Sequence, residues 1–337
     1  MKDIAKDANV SVATVSRVLN KNYNVSKELT DKVLNSVKKY KYYPNLIARS
    51  LKTKATYTIG FIFFDITNDF FAILIHEIEK VIFKKNYNLV VCSTEGRKGE
   101  EIKYLEFLLR KNIDGLIINT MAENDDFICE ISKKIPIILV NRKIYNPLFQ
   151  GDFIGTDGIN GSYILTKHLL ENGHRKIGVI NGSLNISTGK ERFEGFKKAM
   201  NEYGVTINDN YIYKYDGDFT TLSGYNGMAK LLNSQILPTA VVTMNNNMCI
   251  GALKYCKKYK IKIPEDLSLC SFGDISNIDL MYNQPTVVPE NPWIIGKDIA
   301  TLILERIEKK IFIPNRKIVY QPNLLLGNTV HYLNDKK

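Results

Sequence analysis

The sequence predicts an α/β protein with a small three-helix head at its N-terminus, followed by two successive lobes of parallel sheet wrapped by helices. Three observations carry this. Residues 1–57 space their apolar side chains at helical intervals. From Tyr57 onward, short apolar runs alternate with helical stretches, the pattern of a parallel sheet covered by helices. That alternation runs twice, and the similar strands TIGFIF and KIGVIN each open one series.

In the head, Asp3 to Ala8 forms one short helix, broken by Asn9-Val10-Ser11. Ser11 is a good N-cap for a second helix, Val12 to Leu19, because its hydroxyl can satisfy free amides of the first turn. Val15, Val18 and Leu19 recur at helical spacing beside Ile4 and Ala5. A third helix, capped by Ser26, runs to about Tyr40 and is expected to bury Leu29, Val33, Leu34 and Val37. Two short helices joined by a tight turn and followed by a third make a helix-turn-helix unit. Pro44 ends that unit. Asn45 to Thr53 (NLIARSLKT) is a further helical stretch, too short to stand alone.

The first series places strands at 58–64, 88–93, 115–119, 136–140 and 153–156, with helices near 69–85, 98–112, 124–134 and 158–172. The second places strands at 176–181, 211–215, 240–244 and 267–272, with helices near 189–203, 221–233, 246–259 and 292–309. The divisions expected are a helix-turn-helix head at 1–44, a linker at 45–57 and a core at 58–337. Strand ends of both lobes then face a shared cleft, the usual place for a small ligand.

Charge supports a nucleic-acid partner for the head. Of the net +11, residues 1–57 hold 12 Lys/Arg against 4 Asp/Glu, and the remaining 280 residues hold 34 against 31. A basic head on a nearly neutral body suits a polyanion. A solvated basic surface is the plainer alternative. No apolar run approaches the ~18 residues of a membrane span, and MKDIAKDANVSV lacks the apolar stretch of a secretion signal. The five cysteines include no C-x-x-C pair, which suggests reduced thiols. A cytoplasmic protein without membrane contact is therefore expected. Enzyme signatures are missing: there is no G-x-G-x-x-G, STGK at 187–190 lacks the upstream glycine of a phosphate loop, and the four histidines have no metal-ligand spacing. No catalysis, metal or cofactor is expected.

DIAKDANVSVATVSRVLN (3–20), YYPNLIARSLKTKATYTIGFI (42–62), HLLENGHRKIGVINGS (168–183) and RFEGFKKAM (192–200) together resemble the LacI/GalR transcriptional regulators over essentially the whole chain. The resemblance implies a dimer that binds operator DNA through the second helix of the helix-turn-helix, in the major groove. Val12 and Ala13 then occupy the operator-choosing positions. Arg17 can reach guanine O6 and N7, and Thr14, Ser16 and Asn20 suit phosphate or base-edge contacts. Residues 45–53 resemble the family's hinge helix, with Leu51, beside Ala48, as a wedge in the minor groove. The alternative for Leu51 is packing on the core.

The same resemblance implies a core like the periplasmic sugar-binding proteins, closing on a small-molecule effector. It divides that core into one lobe of about 58–158 and 290–321 and another of about 159–289 and 322–337. Phe70 and Phe219 stand where the family stacks rings on the ligand. Arg192 and Asp274 match its charged pair, able to bind vicinal hydroxyls. Asn246 and Asn141 each replace a common aspartate, so the effector is either poorer in hydroxyls or carries an anionic group. Asp157 is a weaker candidate. Where many members have Gln-Pro, this chain reads VVPENPW (287–293), and Trp293 suits either the pocket or the dimer interface. No arginine stands in Asn185–Thr188, which tilts the effector toward a carbohydrate. The short tail HYLNDKK favours a homodimer over a tetramer. The function implied is an effector-controlled repressor, with a small-molecule binding protein lacking DNA function as the alternative.

Overall fold

The computed structural model describes residues 1–19, 25–42, 55–208, 211–309 and 314–333. They form two compact units, Met1–Thr56 and Tyr57–Lys337.

The first unit contains α1 (Lys2–Asp7), α2 (Val12–Leu19) and α3 (Lys27–Lys39). The Ser11 hydroxyl accepts from the Thr14 amide at 3.0 Å, and the Ser26 hydroxyl from the Leu29 amide at 3.4 Å. Both caps therefore sit where the sequence places them. Ile4, Ala5, Ala8, Val15, Val18 and Val33 close a core that excludes water. Asp7 accepts from Ser36 at 2.7 Å and from Lys39 at 2.5 Å, fastening α1 to α3. The hydrogen bond from Lys39, then that from Ser36, holds the Asp7 carboxyl below its ordinary value. Because α3 turns Val33 and Ser36 inward, Leu34 falls outside the core and is 42% exposed, contrary to the pattern reading.

The second unit starts with β1 (Thr58–Phe63), α4 (Asp69–Ile82), β2 (Asn88–Ser93), α5 (Glu100–Arg110), β3 (Gly115–Ile118), α6 (Asp125–Ser132), β4 (Ile137–Val140) and β5 (Asp152–Thr156). There follow α7 (Gly158–Glu171), β6 (Ile177–Asn181), α8 (Ser187–Glu202), β7 (Lys214–Asp216), α9 (Thr221–Leu232), β8 (Ala240–Thr243), α10 (Asn246–Lys258), β9 (Ser268–Phe272) and β10 (Thr286–Val288). Finally come α11 (Pro292–Lys309) and β11 (Lys317–Tyr320).

These strands make two parallel sheets, ordered β11-β5-β4-β3-β1-β2 and β10-β9-β8-β6-β7. The central strands are buried on both faces, as a sheet covered by helices on each side requires. The chain passes between sheets three times. It leaves the first after β5, returns through α11 to add β11 beside β5, and then bridges Leu325 to Val287 of the second. β10 and β11 are short, and periodicity alone did not single them out. The run read as a strand at 211–215 pairs only at 214–216, where Tyr211 instead anchors the segment by donating its hydroxyl to the Ile177 carbonyl at 2.7 Å.

One buried ion cluster fixes the return. Asp152 at the start of β5 is fully buried and meets Arg306 of α11 and Arg316 before β11, at 2.5 and 2.8 Å. Burial alone would raise its carboxyl, but the two guanidiniums hold it below the ordinary value.

Candidate functional site

Two sites arise, one in each unit. In the first, the Ser11 cap and the α1 packing fix α2 so that Val15 and Val18 face inward. Val12 (43% exposed), Ala13 and Arg17 therefore face solvent, with Thr14 and Ser16 half-buried at the edge. The oxygens of Ser11 and Thr14 lie 2.9 Å apart, tying the helix start together. Asn20, Ala48 and Leu51 lie outside the described residues.

In the second unit, the C-terminal ends of strands from both sheets converge on a cleft lined by Phe64, Asn68, Phe70, Phe71, Asn119, Asn141, Arg142, Thr188, Arg192, Phe219, Asn245, Asn246 and Glu290. The side chains meet closely across it, leaving about 50 Å³ at the centre. A wider chamber of about 430 Å³ adjoins it and shares Phe64, Arg142 and Phe219 as a wall.

Phe70 sits in the first turn of α4, whose N-terminus Asn68 caps by accepting from the Phe70 amide at 3.0 Å. Its ring meets Phe71 edge to face at 5.2 Å. Phe219 comes from the loop before α9 with φ +71°, a left-handed backbone costly for an aromatic residue. Asn245 holds it there, donating to the Phe219 carbonyl at 2.9 Å while capping α10. Gly182 makes room, since a Cβ at that position would lie 1.9 Å from the Phe219 ring.

Arg192 reaches into the cleft from α8. It donates to the Met244 carbonyl at 2.6 Å and to Glu290 at 3.0 Å, and its guanidinium lies 3.8 Å from the centre of the Phe272 ring. Asn141, also left-handed at φ +58°, donates to the same Glu290 oxygen at 2.8 Å. Burial pushes the Glu290 carboxyl up, and Arg192 opposes that rise. Three buried polar atoms around this centre have no protein partner: Asn119 Oδ1, Asn141 Oδ1 and Arg192 Nε.

Two of the expected residues lie outside this lining. Asp274 is not the ion partner of Arg192; that partner is Glu290, delivered by the crossover after β10. Asp274 accepts from the Glu290 amide at 2.8 Å instead, and so positions that crossover. Asp157 does not line the cleft either. It caps α7, accepting from the Asn160 amide at 3.0 Å. Trp293, in the first turn of α11, is 51% exposed and also outside the cleft lining.

Sequence reasoning missed Arg142 as well as Glu290. Arg142 is buried, lies 5.2 Å from the Phe64 ring centre and 5.7 Å from that of Phe219, and donates to the Thr120 carbonyl at 3.0 Å. Burial lowers its pKa to about 10, so it stays charged near neutrality. An arginine two positions after the apolar run PIILV (136–140), next to Asn141, was the available signal, because strand C-termini line the cleft.

The arrangement is chemically that of a binding site. Rings cover apolar faces, amides both donate and accept, and one guanidinium–carboxylate pair sits at the centre. Among the described residues, no group of three or more His, Cys, Asp or Glu side chains could hold a metal ion.

Residues 1–45 match the family of bacterial regulatory proteins of the lacI type, and residues 56–321 match the periplasmic binding proteins and sugar-binding domain of the LacI family. Among curated relatives, the HTH-type transcriptional repressor PurR of Haemophilus influenzae is 36% identical over 314 residues, covering 92% of this chain and 91% of the relative. That of Aliivibrio salmonicida is 33% identical, covering 99% of each chain. Among solved structures, a ribose-bound LacI family regulator from Enterococcus faecium is 28% identical at a TM-score of 0.72, covering 82% of this chain and all of that one. The lac repressor dimer bound to operator and the anti-inducer ONPF is 22% identical at a TM-score of 0.83, covering 98% of each chain.

Proposed function

The chain belongs to the LacI family of bacterial regulatory proteins, and we propose that it is a repressor whose grip on operator DNA is set by a small molecule held in the interlobe cleft. The observation that carries the reading is the pairing, in one chain, of a capped helix presenting Val12, Ala13 and Arg17 with a two-lobed cleft built around Arg192, Asn141 and Glu290.

On the DNA side, Arg17 reads guanine, the small apolar pair Val12-Ala13 contacts a thymine methyl, and Thr14, Ser16 and Asn20 hold phosphates or base edges. Ala48 and Leu51 act at the minor groove. On the ligand side, Phe70 and Phe219 cover apolar C–H faces while Asn141, Asn246 and Arg192 take hydroxyls. A carbohydrate is the effector this supports, in line with the ribose held by the E. faecium relative. Asp157 and Asp274 act as positioning groups behind that surface. The protein works as a cytoplasmic homodimer, by binding rather than catalysis. Its curated relatives are named as repressors, and no described helix is long and apolar enough to cross a membrane.

Fluorescence anisotropy with the upstream region of its own operon and a scrambled duplex, at two salt concentrations, tests the reading. Specific binding that falls steeply with salt is expected, because each neutralised phosphate releases counterions. Equal, weak binding to both duplexes in the presence and absence of sugars would overturn it. Removal of residues 1–57 is expected to abolish heparin retention and spare ligand binding. Unchanged retention would favour the rival reading, a small-molecule binding protein without DNA function.

A further inference from the structure

Where α4 of the first lobe and α10 of the second begin, two carboxamides meet face to face across the cleft. Asn68 Nδ2 donates to Asn246 Oδ1 at 3.1 Å, and Asn246 Nδ2 returns a bond to Asn68 Oδ1 at 3.0 Å. Each oxygen also accepts one backbone amide of its own helix start, from Phe70 at 3.0 Å and from Asn247 at 2.9 Å. The two halves thus mirror one another, and both side chains are buried. Asn247 adds a third bridge, donating to Asp65 at 3.1 Å.

We propose that the Asn68–Asn246 pair is a cross-cleft clamp that sets the balance between closed and open lobes, and that an effector with adjacent hydroxyls can replace its bonds. The proposal rests on the cleft's being the effector site. Its physical core is that the pair works only with a carboxamide on both sides. Resemblance to the family leads one to expect an aspartate at 246. An ionised carboxylate there has no N–H to return, and its second oxygen would face Asn68 Oδ1, acceptor against acceptor in a buried site. The asparagine in this chain therefore converts a repulsive meeting into a self-complementary one.

The same geometry defines the ligand. A molecule that parts the two amides must give each NH2 an acceptor, and can give each oxygen a second donor beside the backbone amide it keeps from Phe70 or Asn247. A hydroxyl does both, so two adjacent hydroxyls replace the clamp.

Small-angle scattering of the full chain, with no ligand added, tests the clamp in two variants. Asn246→Asp breaks the complementarity. Asn68→Ser keeps a cap for the Phe70 amide but is too short to span the cleft. Asn246→Asp loses one of the two bonds and sets two acceptors against each other, and Asn68→Ser loses both, so the closing equilibrium is expected to fall about tenfold or more. The radius of gyration should then rise in both variants while the circular dichroism spectrum stays that of the parent. Scattering curves from two folded variants that superpose on the parent would overturn the clamp. Should Asn246→Asp fail to fold, Asn68→Ser decides alone. Operator binding by the parent is scored separately, so failure of the repressor reading and failure of the clamp give different results.

Discussion

Arg17 and Arg192 show how one residue type takes opposite roles according to burial. Arg17 is exposed on α2, so losing it disturbs no packing and touches only its proposed DNA contact. Arg17→Ala is expected to weaken specific operator binding by about 1–3 kcal/mol and leave the melting temperature unchanged, as anisotropy and a thermal melt will show. Arg192 is buried against Glu290, so truncating either partner strands a charge in the interior. Arg192→Met or Glu290→Gln alone is expected to cost about 3–5 kcal/mol in urea unfolding, and the double variant clearly less than the sum. Additive costs would show that the pair is not coupled.

At the scale of elements, the helix starts do most of the positioning. Ser11, Asn68, Asp157, Thr220 and Asn245 each accept a first-turn amide, and two of these caps, Asn68 and Asn245, also line the cleft. Caps are local features, so the Ser11 and Ser26 caps could be named before any tertiary contact was known. Ser11→Ala is expected to destabilise the head by about 1 kcal/mol, read from a separate head transition in chemical unfolding, with the core transition unmoved. An unchanged head transition would mean that the turn, rather than the cap, sets where α2 begins. The hinge segment makes a contrasting prediction. Leu51→Ala is expected to lower operator affinity strongly and leave thermal stability nearly unchanged, and a large loss of stability with intact DNA affinity would mean that Leu51 packs on the core.

For the whole molecule, acid stability turns on a buried histidine at the base of the second lobe. His174 is fully buried, pairs with Thr239 at 3.0 Å and the His331 carbonyl at 3.1 Å, and burial depresses its pKa from 6.5 to about 4. The unfolded chain takes up that proton first. Stability is therefore complete above pH 6.5, falls as pH drops toward 4, and loses about 3 kcal/mol in all from this group. Urea midpoints between pH 7.5 and 4.5 should show that slope, and His174→Asn should flatten it. A parallel slope in the variant would assign the loss to another group that titrates in this range, such as His168, whose pKa burial also lowers.

What the sequence determined by itself was everything that repeats locally or travels with composition. The helix-turn-helix spacing, the doubled β-α alternation and the basic head were all legible in this way, whereas Phe70, Asn141, Arg192, Phe219 and Asn246 were named only through the family resemblance. Local patterns are enough for the former because apolar periodicity and caps act over a few residues. Which groups face one another across the cleft was decided only by the tertiary structure. Glu290 reaches Arg192 over a separation of 98 residues, and Asn68 reaches Asn246 over 178. Those meetings depend on three crossings of the chain between the sheets and on the left-handed backbones at Asn141 and Phe219. Neither leaves a mark in a short window of sequence, because the energy that fixes them comes from packing two lobes together rather than from any residue's own preference.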